Sequence, residues 1–128
     1  MTASAKTVLI VEDNELNMRL FNDILQASGY QTIQTGDGHE ALELAEARRP
    51  DLILMDMRLP GISGLDVTRM IKERDHLRHI PVIAITASAF KGDEAIFLAG
   101  GCDGFIAKPI SIPSFLDTIA KFLNEPAE

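Results

Sequence analysis

The chain has 128 residues, of which 46% are hydrophobic and 24% charged, and its formal net charge is −7. This length and composition predict one globular domain with its own core, and the negative charge argues against nucleic acid as a partner, because nucleic-acid-binding proteins usually carry a basic patch. Cys102 is the only cysteine, which excludes an intrachain disulfide and suits the reducing cytoplasm. No apolar run reaches the roughly 18 residues of a membrane span, so we expect no membrane insertion.

Short apolar runs that predict strands alternate with amphipathic segments that predict helices along the whole chain. The predicted strands span residues 7–11, 30–35, 51–56, 80–86 and 104–107. The predicted helices begin at Asn14 as an N-cap, after a turn at 36–38, at Ser63 or Gly64, near Lys91 and at Ser111. Gly29 should end the first helix, and the second should stop before Pro50.

The strand–helix alternation predicts an α/β fold, a doubly wound parallel sheet of five strands with five helices on its two faces. We expect one domain over residues 1–128, with a core at about 6–123 and no effector domain after it. Apolar stripes predict the buried face of the first helix as Leu16, Leu20, Ile24 and Leu25, and that of the last as Ile112, Phe115, Leu116, Ile119 and Leu123.

Polar residues occur where the predicted strands end. Because all strands of a parallel sheet end at one edge, and ligands bind there, these residues should converge. They are Glu12, Asp13, Asp56, Thr86 and Lys108. Asp56 follows the apolar run 52–55 directly, and carboxylates avoid such surroundings unless something holds them. The alternative for Asp56 is a role as N-cap of the next helix.

The chemistry of this set indicates phosphoryl transfer. Three neighbouring carboxylates repel one another and need a cation, and hard oxygen ligands favour Mg²⁺ over zinc or copper. Asp56 is then a candidate nucleophile toward phosphorus. Lys108 and Mg²⁺ would neutralise the phosphoryl oxygens, and the hydroxyl of Thr86 could donate a hydrogen bond to one of them.

Two absences narrow the choice among α/β proteins. The loop 12–15 contains no glycine, which excludes the dinucleotide-binding fingerprint and the P-loop. Arg58 stands two residues after Asp56, where phosphatases similar to haloacid dehalogenases carry a second acid as general acid. A small magnesium-dependent hydrolase is therefore only a weaker alternative.

These motifs resemble the receiver domains of two-component response regulators, over residues 6–123. The resemblance rests on Glu12-Asp13, Asp56, Leu59-Pro60-Gly61 with Gly64, Thr86-Ala87 and Lys108-Pro109. It implies a flavodoxin-like sheet with strand order 2-1-3-4-5. It also implies a cis peptide bond at Lys108-Pro109.

For the site, the resemblance implies that Asp56 accepts a phosphoryl group from a sensor histidine kinase or a histidine phosphotransfer protein. Mg²⁺ would be held by Asp13, Asp56 and the backbone carbonyl of Arg58, with Glu12 acting through water. Thr86 and Phe105 would form the switch that reports phosphorylation.

The resemblance implies a phosphoacceptor signalling protein that catalyses only its own phosphorylation and dephosphorylation. Its downstream protein targets would bind the face built from the fourth helix, the fifth strand and the fifth helix. The stretches 11–18, 91–94, 100–102 and 108–111 also resemble single-domain receivers that control the cell cycle and cell division. The alternative role is a relay intermediate that passes its phosphoryl group to a downstream histidine.

Overall fold

The computed structural model describes residues 6–87 and 91–123, in which five strands alternate with five helices. The strands are β1 (Thr7–Val11), β2 (Gln31–Thr35), β3 (Leu52–Asp56), β4 (Val82–Thr86) and β5 (Gly104–Ala107). The helices are α1 (Glu15–Ala27), α2 (Gly38–Arg48), α3 (Gly64–Lys72), α4 (Lys91–Ala99) and α5 (Ile112–Leu123). No helix in these two segments is long and apolar enough to cross a membrane.

The strands form one parallel sheet in the order β2-β1-β3-β4-β5, which confirms the predicted fold class and strand order. β3 and β4 are buried along their whole length, because helices cover both faces and their sequences offer an unbroken apolar run. The carboxyl ends of all the strands therefore lie along one edge of the sheet, as the sequence predicted.

The core has two layers, one on each face of the sheet. On one face α2 and α3 bury Ala41, Ala45, Val67 and Ile71 against the strands. On the other face, α1 and α5 meet through Phe21 and Phe115, whose rings stack with centroids 5.5 Å apart. These aromatic side chains fix α1 and α5 to the same side of β1 and β3.

Local signals for helix ends are confirmed. The side chain of Asn14 accepts a hydrogen bond from the backbone N–H of Asn17 and caps α1, and Gly29 follows the helix with φ +94°. Ser63 caps α3 by accepting from the N–H of Asp66. Since Ser63 performs this role, the alternative that Asp56 caps the helix after β3 is wrong.

The predicted buried stripes of α1 and α5 are wrong at the first turn of each helix and at Leu20. Leu16 is 78% exposed and Ile112 is 49% exposed, whereas Phe21 and Leu25 form the buried face of α1. Leu20, in the second turn, lies beside that face and is 41% exposed. Each helix runs back along the sheet from the strand edge where it begins. Its first turn therefore projects beyond the strands and has no core to cover it, although the apolar spacing continues through it.

Candidate active site

Three carboxylates converge at the carboxyl edge of the sheet. Glu12 and Asp13 follow β1, Asp56 ends β3, and one carboxylate oxygen from each lies within 4.8 Å of the other two. The pairing of Val11 with Met55 brings the two strand ends side by side. Glu12 and Asp56 are buried, at 3% and 4% exposure, whereas Asp13 is exposed. The sequence therefore predicted correctly that these three acids lie together.

Backbone groups hold Asp56 in place. The N–H of Arg58 donates a hydrogen bond of 3.0 Å to its Oδ1 atom, and the N–H of Met57 donates one of 3.1 Å to the carbonyl of Ile85 on β4. Gly64 lies so close to the carbonyl oxygen of Asp56 that any side chain there would overlap with it. The loop between Asp56 and α3 is thus folded tightly back onto β3.

Lys108 supplies the positive charge beside the acids. Its ammonium lies 3.1 Å from Oε1 of Glu12 and 3.7 Å from Oδ2 of Asp56. Its backbone N–H donates a 2.7 Å hydrogen bond to the carbonyl of Thr86, which ties the end of β5 to the end of β4. The Lys108–Pro109 bond is cis, which confirms the expectation from the resemblance.

The carboxylate of Glu12 is only partly satisfied. Oε2 accepts a 3.2 Å hydrogen bond from the N–H of Asn14. Oε1 is fully buried and, among the described residues, has the Lys108 ammonium at 3.1 Å as an ion-pair partner but no hydrogen bond from a backbone group. Burial raises the pKa of Glu12, and the adjacent Asp56 raises it further, against the opposing effects of Asn14 and Lys108.

This donor set fits a hard divalent cation. All three converging side chains are carboxylates, one of them exposed to solvent, and among the described residues the buried Oε1 of Glu12 has the Lys108 ammonium as its ion-pair partner but no other donor. Mg²⁺ prefers such oxygen ligands and keeps several waters when it binds to one or two carboxylates. A cation here would also relieve the repulsion that raises the pKa of Glu12.

Thr86 and Phe105 lie on neighbouring strands and on the same face of the sheet. Thr86 ends β4 and is 5% exposed. It pairs with Ala107, and Ala84 pairs with Phe105, so both side chains face the α3–α4 side of the sheet. Phe105 is partly exposed and lines a groove of about 300 Å³ together with Leu98 on α4 and Phe122 on α5. Phe105 therefore lies on β5 beside the residue two before Thr86, next to a groove lined by α4 and α5.

Sequence reasoning missed two groups that support the acids. Asn14 was predicted only as a helix cap, yet its N–H also donates a hydrogen bond to the side chain of Glu12. The position of this cap residue, directly after the pair Glu12-Asp13, is a signal that could have indicated the contact. The carbonyl of Thr35 on β2 accepts a 3.0 Å hydrogen bond from the N–H of Glu12. Nothing in the local pattern of β2 indicates that contact, because it depends on how β2 pairs with β1.

Comparison with known proteins agrees with this geometry. Residues 8–120 match the family model of the response regulator receiver domain. The chain belongs to this family. The matched range includes the three acids Glu12, Asp13 and Asp56 and also Lys108.

Curated relatives of this receiver domain include the polar-differentiation response regulator DivK of Brucella anthropi and that of Brucella ovis. They are 60% and 58% identical to it over 120 residues, which is 94% of this chain and 98% of each relative. The receiver domain of a sensor histidine kinase from Pseudomonas aeruginosa, solved with a magnesium ion coordinated in its active-site cleft, is 34% identical with a TM-score of 0.88. This match covers 95% of the present chain and all of that one. A response regulator from Chloroflexus aurantiacus shares the fold, with a TM-score of 0.91 at 23% identity, over 95% of this chain and all of that one.

Proposed function

We propose that this receiver domain accepts a phosphoryl group on Asp56 from the phosphohistidine of a sensor histidine kinase or a histidine phosphotransfer protein. The main support for this proposal is the set of charged groups around Asp56. Its carboxylate ends a buried strand, lies within 4.8 Å of two further carboxylates, and has the ammonium of Lys108 at 3.7 Å. A carboxylate held among like charges and one cation is suited to chemistry on an anionic phosphorus group.

We further propose that Asp13, Asp56 and the backbone carbonyl of Arg58 hold Mg²⁺, with Glu12 acting through water. The partly satisfied Glu12 and the all-oxygen cluster support this choice of metal. When bound, Mg²⁺ neutralises charge on the phosphoryl oxygens. The magnesium ion in the cleft of the similar Pseudomonas aeruginosa receiver points to the same cofactor.

The chain's own residues would then perform the transfer as follows. A carboxylate oxygen of Asp56 forms a bond to phosphorus while the bond from phosphorus to the donor imidazole nitrogen breaks. The nitrogen keeps the electron pair and takes a proton, and Asp56 becomes an acyl phosphate. Lys108 compensates the charge of the new phosphoryl group, and the hydroxyl of Thr86 donates a hydrogen bond to one of its oxygens.

The output we propose is a change in protein–protein interactions in cell-cycle and cell-division control in the cytoplasm. Its support is the 58–60% identity to regulators named for polar differentiation. The exposed apolar side chains of Ile96 and Leu98 on α4 and Ile112 on α5 offer a surface for a target. The position of Thr86 and Phe105 on one sheet face supports a route from Asp56 to that surface.

A relay role is the second candidate, in which Asp56 passes its phosphoryl group to a downstream histidine. The 34% identity to receiver domains that belong to histidine kinases supports it. Mixing the phosphorylated protein with histidine phosphotransfer proteins of the same cell separates the two roles. A rapid transfer, faster than hydrolysis, to a phosphotransfer protein that does not itself phosphorylate Asp56 favours the relay.

The decisive test of the phosphoacceptor is mass spectrometry of the intact chain after incubation with Mg²⁺ and a small-molecule phosphodonor. We expect one phosphoryl adduct, which requires Mg²⁺ and is lost in Asp56→Asn, because the amide is nearly isosteric but not nucleophilic. Asp66→Asn, on the exposed first turn of α3, is the matched control and should be labelled like the wild type. Stoichiometric labelling of Asp56→Asn would contradict the assignment.

A further inference from the structure

The first residue of α2 contacts the loop that follows Asp56. A Cβ atom added to Gly38 would lie 2.5 Å from Cγ2 of Ile62, 2.9 Å from Cγ2 of Val67 and 3.5 Å from Cδ1 of Leu59. Ile62 and Leu59 belong to the β3–α3 loop, residues 57–63. Gly38 does not have a positive φ, so glycine is needed here for space and not for backbone conformation.

The turn between β2 and α2 also contacts the β1–α1 loop, residues 12–14, which carries Glu12 and Asp13. The carbonyl of Thr35 accepts the N–H of Glu12 at 3.0 Å. A Cβ on Gly36 would lie 3.4 Å from Cα of Asp13 and 3.4 Å from the carbonyl oxygen of Glu12. Residues 36–38, which are the β2–α2 turn with the first residue of α2, therefore contact both the β1–α1 loop and the β3–α3 loop.

The turn is itself held firmly. The side chain of Asp37 caps α2 by accepting the N–H of His39 at 2.8 Å, and the N–H of Asp37 donates to Oγ1 of Thr35 at 3.1 Å. The hydroxyl of Thr35 in turn donates to the carboxylate of Glu40. These bonds fix the position of Gly38 relative to the end of β2, and so relative to Glu12.

We propose that the β2–α2 turn sets the distance between the two loops that form the acid cluster, and that Gly38 is the positioning residue. The inference rests on the proposed metal site, because Asp13 comes from one loop and the carbonyl of Arg58 from the other. Mg²⁺ requires nearly ideal octahedral geometry at short distances, so a small change in loop spacing weakens binding strongly. Groups that hydrogen-bond to the direct ligands typically contribute 10–100-fold to metal affinity, and we take the lower end of that range for a loop displaced by a steric contact.

The substitution Gly38→Ala tests this directly. The new methyl group would press on Cγ2 of Ile62, a methyl group attached to the branched Cβ and therefore close to the backbone, which cannot swing away as the end of a long side chain could. The β3–α3 loop must then shift, and Arg58 shifts with it. We expect the dissociation constant for Mg²⁺ to rise about tenfold, and phosphodonor labelling to slow at subsaturating Mg²⁺ but to recover at saturating Mg²⁺.

The experiment is a calorimetric Mg²⁺ titration of the full chain, with unfolding curves in chelator recorded for each variant. Ile62→Ala removes the closest contact, the one made by the β3–α3 loop itself, and leaves only the 2.9 Å contact with Val67 in α3. Gly38→Ala combined with Ile62→Ala should therefore restore the Mg²⁺ affinity to within about threefold of Ile62→Ala alone. Gly104→Ala is the matched control, since its Cβ would lie 2.9 Å from the ring of Phe122, on the edge strand away from the acids. It should lower the unfolding temperature and leave Mg²⁺ affinity unchanged.

The outcomes separate this inference from the proposed function. If the wild type binds no Mg²⁺, the proposed metal site fails. If the wild type binds Mg²⁺ and Gly38→Ala binds it equally well, or if Gly104→Ala weakens it as much, the positioning role is wrong. If Gly38→Ala does not fold, the variant with both Gly38→Ala and Ile62→Ala is used in its place. The inference is overturned if that double variant folds but binds Mg²⁺ about tenfold more weakly than Ile62→Ala does.

Discussion

Removal of the Lys108 ammonium should destabilise the metal-free protein in a manner that depends on pH and Mg²⁺. Lys108→Met keeps the unbranched apolar stem of the side chain but removes the ammonium, and so leaves Glu12 and Asp56 buried beside each other without a cation. The expected loss of folding stability is therefore electrostatic, and its size depends on how well water can replace the ammonium as a partner of the two carboxylates.

The distances set the magnitude. At 3.1 Å and 3.7 Å, with an effective dielectric constant of about 20, each attraction is worth about 4–5 kcal/mol before desolvation is subtracted. Breaking a fully buried pair costs about 3–5 kcal/mol. Because the Lys108 side chain is 21% exposed, we expect a loss of about 2 kcal/mol, or about 6–10 °C in unfolding temperature for a domain of this size.

The pH dependence follows from Glu12, whose pKa is raised in the folded state by burial and by Asp56. A carboxyl group of this kind favours folding fully below its ordinary pKa and loses that contribution as the pH rises through its higher folded value. Lys108→Met should raise the pKa of Glu12 further. The penalty should consequently be largest above that folded value and shrink as Glu12 becomes protonated.

The assay is thermal unfolding of the wild type and Lys108→Met, in chelator and in excess Mg²⁺, over a series of pH values. Lys121→Met, which removes an exposed ammonium 5.6 Å from the ring of Phe122, is the control and should change stability little at any pH. Mg²⁺ should restore much of the stability of Lys108→Met. A penalty that is absent in chelator, or that is the same at every pH and in Mg²⁺, would refute the electrostatic account.

Two further predictions test the metal and the switch. Asp13→Ala should weaken Mg²⁺ binding at least about tenfold and stabilise the protein in chelator by relieving repulsion with Glu12, and equal affinity in a titration would rule out Asp13 as a ligand. Thr86→Ala should leave phosphoryl labelling of Asp56 largely intact but abolish the structural change that phosphorylation causes on the face built from α4, β5 and α5. NMR with a phosphate mimic checks this, since equal chemical-shift changes over residues 96–115 in wild type and variant would exclude Thr86 from the route.

The sequence alone determined the order of the elements and the residues at the carboxyl edge of the sheet. Both are local signals. A buried strand is recognised by its apolar run, and its end is recognised by the first polar residue after that run, which is Asp56 for β3. Parallel strands then bring these ends to one edge whatever the lateral order. That lateral order was implied only by the family resemblance, since no local pattern states which strands pair.

Only the tertiary structure decided which apolar residues are buried and what holds the acids in place. Leu16 and Ile112 have the spacing of core residues, but they lie in first turns that extend past the sheet. The burial of Oε1 of Glu12 beside Lys108 and the close approach of Gly38 to Ile62 depend on residues far apart in sequence. A periodic pattern records the direction of a side chain about its own helix or strand, whereas these features depend on what other segments place in that direction.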